Sequence, residues 1–174
     1  MAMGDNLEGN REVLGVSVSL GEHEVHWRTL LQSLVSRGLA GVQLVISDDH
    51  RGLQKARMVV FGGVPWQRCQ CHLQRNVQAY VPRRTVMREV ATDIRAIFNA
   101  ATRHDAETLL SQTVGKYLPK ASALADRMEK SIPEGLTIFA FSSEHHRRIR
   151  TTNSLERAEP RVTAACLFCP HHVD

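Results

Sequence analysis

Residues 42–46 read VQLVI, a short and almost wholly apolar run, and Ser47, Asp48, Asp49 and His50 follow it directly. A strand with one wet face alternates polar and apolar residues. A run that is apolar at nearly every position suits an interior strand covered on both faces. Covering both faces requires further layers, so this segment points to an α/β fold. Open α/β sheets place their ligands outside the carboxyl ends of the strands, which is where Asp48 falls.

The surrounding pattern agrees with a layered fold. Residues 11–20, REVLGVSVSL, alternate and predict a strand, preceded by a turn-rich stretch at 6–10. Residues 22–37 carry Val25, Leu30, Leu31, Leu34 and Val35 as a helical stripe, and Gly38 is placed to end it. A helix is predicted over 51–60, a turn over 62–65 and a short strand over 66–69. Beyond Cys71 the periodicity is helical. Val86, Met87, Val90, Ile94, Ile97 and Phe98 share one face, with Arg88, Thr92, Arg95 and Asn99 opposite. Leu109, Leu110, Val114 and Tyr117 mark a helix over 105–118, and Pro119 separates it from another over 120–131. A last helix is predicted to begin near Thr152, with Asn153 as its N-cap. The order is an α/β core carrying a helical insertion.

Bulk properties narrow the partners and the compartment. At 174 residues and 43% apolar, the chain suits one compact domain, or one with an insertion. Its 22 Lys and Arg against 18 Asp and Glu give +4, a mild excess that fits a nucleic-acid partner without singling one out. The first ten residues lack a basic and apolar leader, and no apolar run approaches the ~20 residues needed to span a bilayer. The expectation is a cytoplasmic protein without a membrane segment. The four cysteines fall in two tight pairs, Cys69 with Cys71 and Cys166 with Cys169. In the cytoplasm that favours free thiols or metal ligands over disulfides.

Three groups of residues carry possible chemistry. Asp48 offers a hard carboxylate oxygen of the kind Mg²⁺ prefers, although by itself Ser47 or Asp48 reads more simply as the cap of the next helix. Cys69-Gln70-Cys71-His72 resembles metal chemistry, but Cys-x-Cys is poorly spaced for tetrahedral zinc. Cys166-x-x-Cys169, with His171 and His172 behind it, is better spaced; buried thiols are still the preferred reading over a structural zinc. Finally, Arg147, Arg148 and Arg150 offer guanidiniums suited to phosphates, and their run leads directly to Glu156. Its bland alternative is a solvated basic face.

Taken together, these pieces resemble the Mutator-like bacterial insertion-sequence transposases, over residues 9–157. The matching blocks are REVLG at 11–15, GLAGVQLVISD at 38–48 and HRGLQKA at 50–56. They continue through WQRCQCHLQRN at 66–76, Glu144-His145, and TNSLER at 152–157. The order of the blocks and the helical spacer are more specific than any one motif. The resemblance implies a ribonuclease-H-like core with an all-helical insertion. In its terms residues 1–75 are the first part of the core, 76–143 the insertion, 144–157 the last core helix and 158–174 an off-family tail.

The resemblance also implies a site. Asp48 matches the second aspartate of an Asp-Asp-Glu metal set and Glu156 the glutamate, while Cys69 and His72 match a Cys-x-x-His signature. Mg²⁺ or Mn²⁺, rather than zinc, is then the cofactor, two ions roughly 3.5–4 Å apart clamping an in-line displacement at phosphorus. DNA, as transposon ends and target, is the implied partner, with homo-oligomers or association with a full-length transposase as further expectations.

The departures imply an inactive fragment. The family's first aspartate lies on a strand before residues 11–20, which this chain starts too late to contain, and Asp5, expected in a turn, is a poor substitute. After Arg157 the family continues in a basic helix, whereas this chain reads Ala158-Glu159-Pro160-Arg161. Residues 158–165 can be encoded so that dropping one base restores Leu-Asn-Arg-Glu-Leu-Arg-Arg-Arg. The tail is therefore expected to be a reading-frame accident that packs poorly. An interfering product of a transposase gene is a related reading. The alternative from another class is a small nucleic-acid-binding or regulatory protein held by zinc through the four cysteines.

Overall fold

The structure, a computed structural model, describes residues 1–5, 11–17, 23–152 and 165–168. These divide into two units, one of residues 1–67 with 151–174 and one of Arg68–Arg150. The described part of the chain is mixed α/β, with a five-stranded sheet and seven α-helices.

In the first unit, β1 (Ala2–Asp5) and β2 (Arg11–Gly15) form an antiparallel hairpin, with Met3 opposite Val13 and Asp5 opposite Arg11. Asp5 thus ends a strand and does not lie in a turn. β3 (Leu44–Ser47) is buried at all four positions, as its apolar run requires. β4 (Trp66–Arg68) stands at the edge beside it, with Val45 N–H donating to the Pro65 carbonyl at 3.0 Å. The sheet order is β2-β1-β5-β3-β4, where β5 is Ala165–Phe168.

For residues 165–168, β5 corrects the expectation of a poorly packed tail. It runs parallel to β1, with Ala2 opposite Ala165 and Gly4 opposite Leu167. On its other side it runs antiparallel to β3, with Leu44 opposite Phe168 and Ser47 opposite Ala165. All four of its residues are buried. The physical reason lies in the segment itself: Ala-Cys-Leu-Phe is apolar throughout and meets the same two-sided criterion as β3.

One face of this sheet is covered by α1 (Glu24–Ser36) and α2 (Arg51–Val60). Ala2, Val45, Ala165 and Leu167 pack there against Trp27, Leu30, Leu31 and Leu34 from α1 and Leu53 and Ala56 from α2. Each fully buried side chain of Leu size contributes about 1.5–3 kcal/mol. Gly38, at φ +100°, turns the chain out of α1, a conformation that a Cβ would penalise. Arg37 donates to the Leu14 carbonyl at 2.8 Å and ties the end of α1 to β2.

The second unit is helical. It comprises α3 (Gln70–Gln78), a 3-10 turn Arg84–Val86 running into α4 (Met87–Phe98), α5 (Arg103–Tyr117), α6 (Ser122–Ser131), two 3-10 turns (Ile132–Gly135, Thr137–Ala140) and α7 (Ser143–Ile149). Leu73, Val90, Ile94, Ile97, Phe98, Leu110, Leu124, Met128 and Leu136 form its core. Thr102 caps α5 by accepting from the Asp105 N–H at 3.1 Å. Gly135 sits where a Cβ would come 3.0 Å from a Phe98 ring carbon and 3.2 Å from a Leu73 methyl, so a larger residue would need both side chains to give by a few tenths of an ångström.

Asp93 on α4 accepts from Lys116 Nζ at 2.6 Å and from the Tyr117 hydroxyl at 2.7 Å, both on α5; Glu89 takes Lys116 at 2.8 Å. These hydrogen bonds hold the Lys116 ammonium above its ordinary range. Burial, and then the bond to Asp93, pushes the Tyr117 phenol up to about 12. Thr151 and Thr152 lie outside any helix, and Asn153, the expected cap of the last helix, falls outside the described residues. No helix among the described residues is long and apolar enough to cross a membrane.

Candidate functional site

Asp48 follows the last residue of β3, and its side chain is half-buried. The connection into α2 is built by side chains on either side of it. Ser47 is fully buried; its hydroxyl donates to the Asp48 carbonyl at 2.9 Å and accepts from Trp66 Nε1 at 2.8 Å. The Asp48 carboxylate accepts the Asp49 N–H at 2.7 Å, which fixes one oxygen against the turn. Asp49 is exposed and takes Gln54 Nε2 at 2.9 Å, so the second carboxylate of the pair is engaged by α2.

The simpler reading of this triplet, that Ser47 or Asp48 caps the next helix, is overturned. The cap of α2 is His50, whose Nδ1 accepts the Leu53 N–H at 3.2 Å, while its ring lies 6.4 Å from that of Trp27. A histidine nitrogen can fill the cap position as well as a hydroxyl, and it relieves Asp48 of that role.

In the helical unit, Cys69 is fully buried at the N-cap of α3, and His72 is half-buried in its first turn. The neighbours that sequence reasoning passed over do as much to set this segment. Arg68, with a side chain only 3% exposed, donates to Glu134 at 2.9 Å. Gln70 donates to the Gly135 carbonyl at 2.8 Å, and its own N–H bonds the Arg150 carbonyl at 3.0 Å. A buried guanidinium must be paired, and Glu134 supplies the charge from 66 positions away. The only sequence signal was Arg-Cys-Gln at the start of an amphipathic helix, with nothing to name its partner.

Arg147 and Arg148 are exposed on α7, and Arg150 follows its end, half-buried, with Nη1 donating to the Asn99 side-chain oxygen at the end of α4. Burial pushes the Arg150 guanidinium below its ordinary value. Glu156, the second expected metal ligand, lies outside the described residues, as do Cys169, His171 and His172. Cys69, Cys71 and Cys166 form no disulfide among the described residues. Among the described residues no three His, Cys, Asp or Glu side chains gather closely enough to hold a metal ion.

Asp48 therefore offers one hard, partly desolvated carboxylate at the end of an interior strand, a donor suited to a divalent cation shared with phosphate oxygens. Comparison with known proteins gives this arrangement a context. The chain is 48% identical to the transposase for insertion sequence element IS406 of Burkholderia multivorans, over 90% of this chain and 40% of that protein. It is 32% identical to the transposase for ISRM5 of Rhizobium meliloti, over 93% and 40%. With the transposase for IS256 in transposon Tn4001 of Staphylococcus aureus it shares 30%, over 93% and 42%. The chain thus spans about two fifths of the length of these relatives. A family described as Transposase, Mutator family matches residues 1–166, and the chain belongs to that family.

Proposed function

We propose that this chain supplies catalytic-core residues to a DNA transposase that excises and inserts an insertion sequence by metal-dependent phosphodiester chemistry. The observation that carries the reading is the position of Asp48: half-buried, just past an interior strand, and free of the capping role that His50 performs. In this reading the sheet belongs to a ribonuclease-H-like core and residues 76–143 are its helical insertion. Asp48 and Glu156 would hold Mg²⁺ or Mn²⁺, which when bound supplies the charge that steadies attacking and leaving oxygens at phosphorus. The donor chemistry fits, since carboxylate oxygens suit those hard cations.

Water attacks the phosphorus at the element end and the P–O3′ bond breaks, freeing a 3′-hydroxyl. That oxygen then attacks a target phosphorus and displaces the target's own 3′-oxygen. Asp48 and Glu156 would hold the cation, and Arg147, Arg148 and Arg150 would contact the DNA backbone. Cys69 and His72 shape the start of α3. The reaction takes place in the cytoplasm, on transposon ends and target DNA, with a second copy or a longer transposase as partner.

The test is cleavage of DNA carrying the insertion-sequence ends, with Mg²⁺ or Mn²⁺, by the protein that carries this chain. Both Asp48→Asn and Glu156→Gln are expected to reduce it to background, a larger loss than the roughly 10–100-fold that outer-sphere partners cost. Cleavage that survives both substitutions contradicts the reading.

A further inference from the structure

The two units differ in charge. Arg68–Arg150 holds fourteen Lys and Arg against eight Asp and Glu, a net of +6, whereas the remainder holds eight against ten, a net of −2. Within the helical unit the positive charge is segregated, and α4 shows how. Its inner face is the core row Val90, Ala91, Ile94, Ile97 and Phe98. A second face carries Glu89 and Asp93, both engaged by Lys116 on α5.

The third face carries Arg88, Thr92, Arg95 and Asn99, all exposed, and Arg84 extends it backward through the 3-10 turn. Spaced at four, three and four residues, Arg88 to Asn99 fall on one side of the helix. Arg150 joins the row at its far end through its bond to Asn99. Among the described residues no carboxylate pairs with Arg84, Arg88 or Arg95; of these three guanidiniums only that of Arg95 is engaged, donating to the Thr92 hydroxyl at 3.2 Å. A merely solvated helix face mixes signs at i,i+4, as Arg103 with Glu107 and Lys130 with Asp126 do in this same unit.

We propose that the Arg84–Arg88–Arg95 row is a further nucleic-acid surface, continuous with Arg150, one that tracks the phosphate backbone of duplex DNA without reading its sequence. From Arg88 to Asn99 the helix rises about 16 Å, the rise of about five phosphates along one strand. Guanidiniums along such a row can take successive phosphates, and the Asn99 amide adds a neutral donor between Arg95 and Arg150. The row offers no apolar or aromatic side chain on which an unpaired base could stack, which favours a duplex over a single strand. The choice of DNA as occupant rests on the transposase reading; the surface itself rests on the charge segregation.

The test is fluorescence anisotropy of the whole chain with a 20–30-bp duplex of arbitrary sequence, without divalent metal, across a salt series. Arg88→Gln with Arg95→Gln is expected to weaken binding roughly tenfold and to flatten the plot of log K against log salt by about 2, near 1 for each lost phosphate contact. Arg84→Gln with Arg88→Gln should do the same. Arg103→Gln with Lys130→Gln, an equal charge loss at paired positions, should leave the slope unchanged. Equal effects from the paired and unpaired sets, or no effect from either row variant at unchanged circular dichroism, would overturn the proposal. So would tighter binding of RNA than of duplex DNA. The assay contains no divalent cation, so its outcome does not depend on the metal chemistry assigned to Asp48 and Glu156. The cleavage reading can therefore fail while the row stands, and the reverse outcome is equally visible.

Discussion

The strand that joins the two halves of the sheet is β5, which pairs Ala165 with Ala2 from nearly the far end of the chain. In the helical unit, by contrast, the main core cluster lies between Leu73 and Leu136. Both units bury an apolar face, but one does so with contacts that close almost the longest loop available and the other with neighbouring helices. Local contacts are recovered quickly and separately, whereas a central strand delivered by the tail must wait for loop closure. The two units should therefore respond differently to substitutions that look equally buried.

The largest difference is expected from Leu167→Asp. Leu167 is 1% exposed in the middle of the sheet, and an uncompensated charge there costs roughly 3–5 kcal/mol. Hydrogen exchange should show amides of β1 and β3 losing protection while α4, α5 and α6 keep theirs. Equal loss in both would mean that the units unfold as one. Gly135→Ala sharpens the other side: its methyl meets Phe98 and Leu73 at 3.0–3.2 Å, an overpacking of about 1–3 kcal/mol. Here α4 to α6 should lose protection and the sheet should not.

The smallest effect is a pH dependence confined to the helical unit. Tyr117 has a folded pKa raised to about 12 against an ordinary value near 10, chiefly by burial and then by its bond to Asp93. Lys116 is raised in the same sense by Asp93 and Glu89. A raised folded pKa contributes stability that is fully present below the unfolded value and lost as pH climbs through the folded one. Chemical denaturation midpoints should thus hold to about pH 10 and fall towards pH 12. Asp93→Asn should flatten that fall, and a wild-type curve already flat across this window would contradict the assignment.

Legibility in the sequence follows the same division. The bounds of α2 at 51–60 were readable because its pattern is complete within a few residues, and the apolar run at 42–46 located β3, although the strand itself spans Leu44–Ser47 and leaves Gln43 exposed. Leu110 and Tyr117 fell on the inner face of α5 for the same reason. β1 was missed because Ala-Met-Gly-Asp has no alternation, and its pairing with β2 supplies what propensity does not. β5 was missed because departure from a family pattern was taken as loss of structure, although Ala165 and Leu167 are as buried as Val45 and Ile46. At the site, Asp48 was placed correctly at the end of an interior strand, but the cap fell to His50. The pairing of Arg68 with Glu134 could not be read from either residue alone.

The most direct test of the central claim, that Asp48 is a cation ligand, is Mn²⁺ binding by the whole chain, read from the loss of the free-ion paramagnetic resonance signal. Asp48 and Asp49 are adjacent carboxylates with different surroundings: one is half-buried at the strand end, the other exposed and taken by Gln54. Asp48→Asn is expected to lower Mn²⁺ affinity by more than roughly tenfold, while Asp49→Asn leaves it unchanged. Identical titrations for wild type and Asp48→Asn, or a larger loss in Asp49→Asn, would contradict the account.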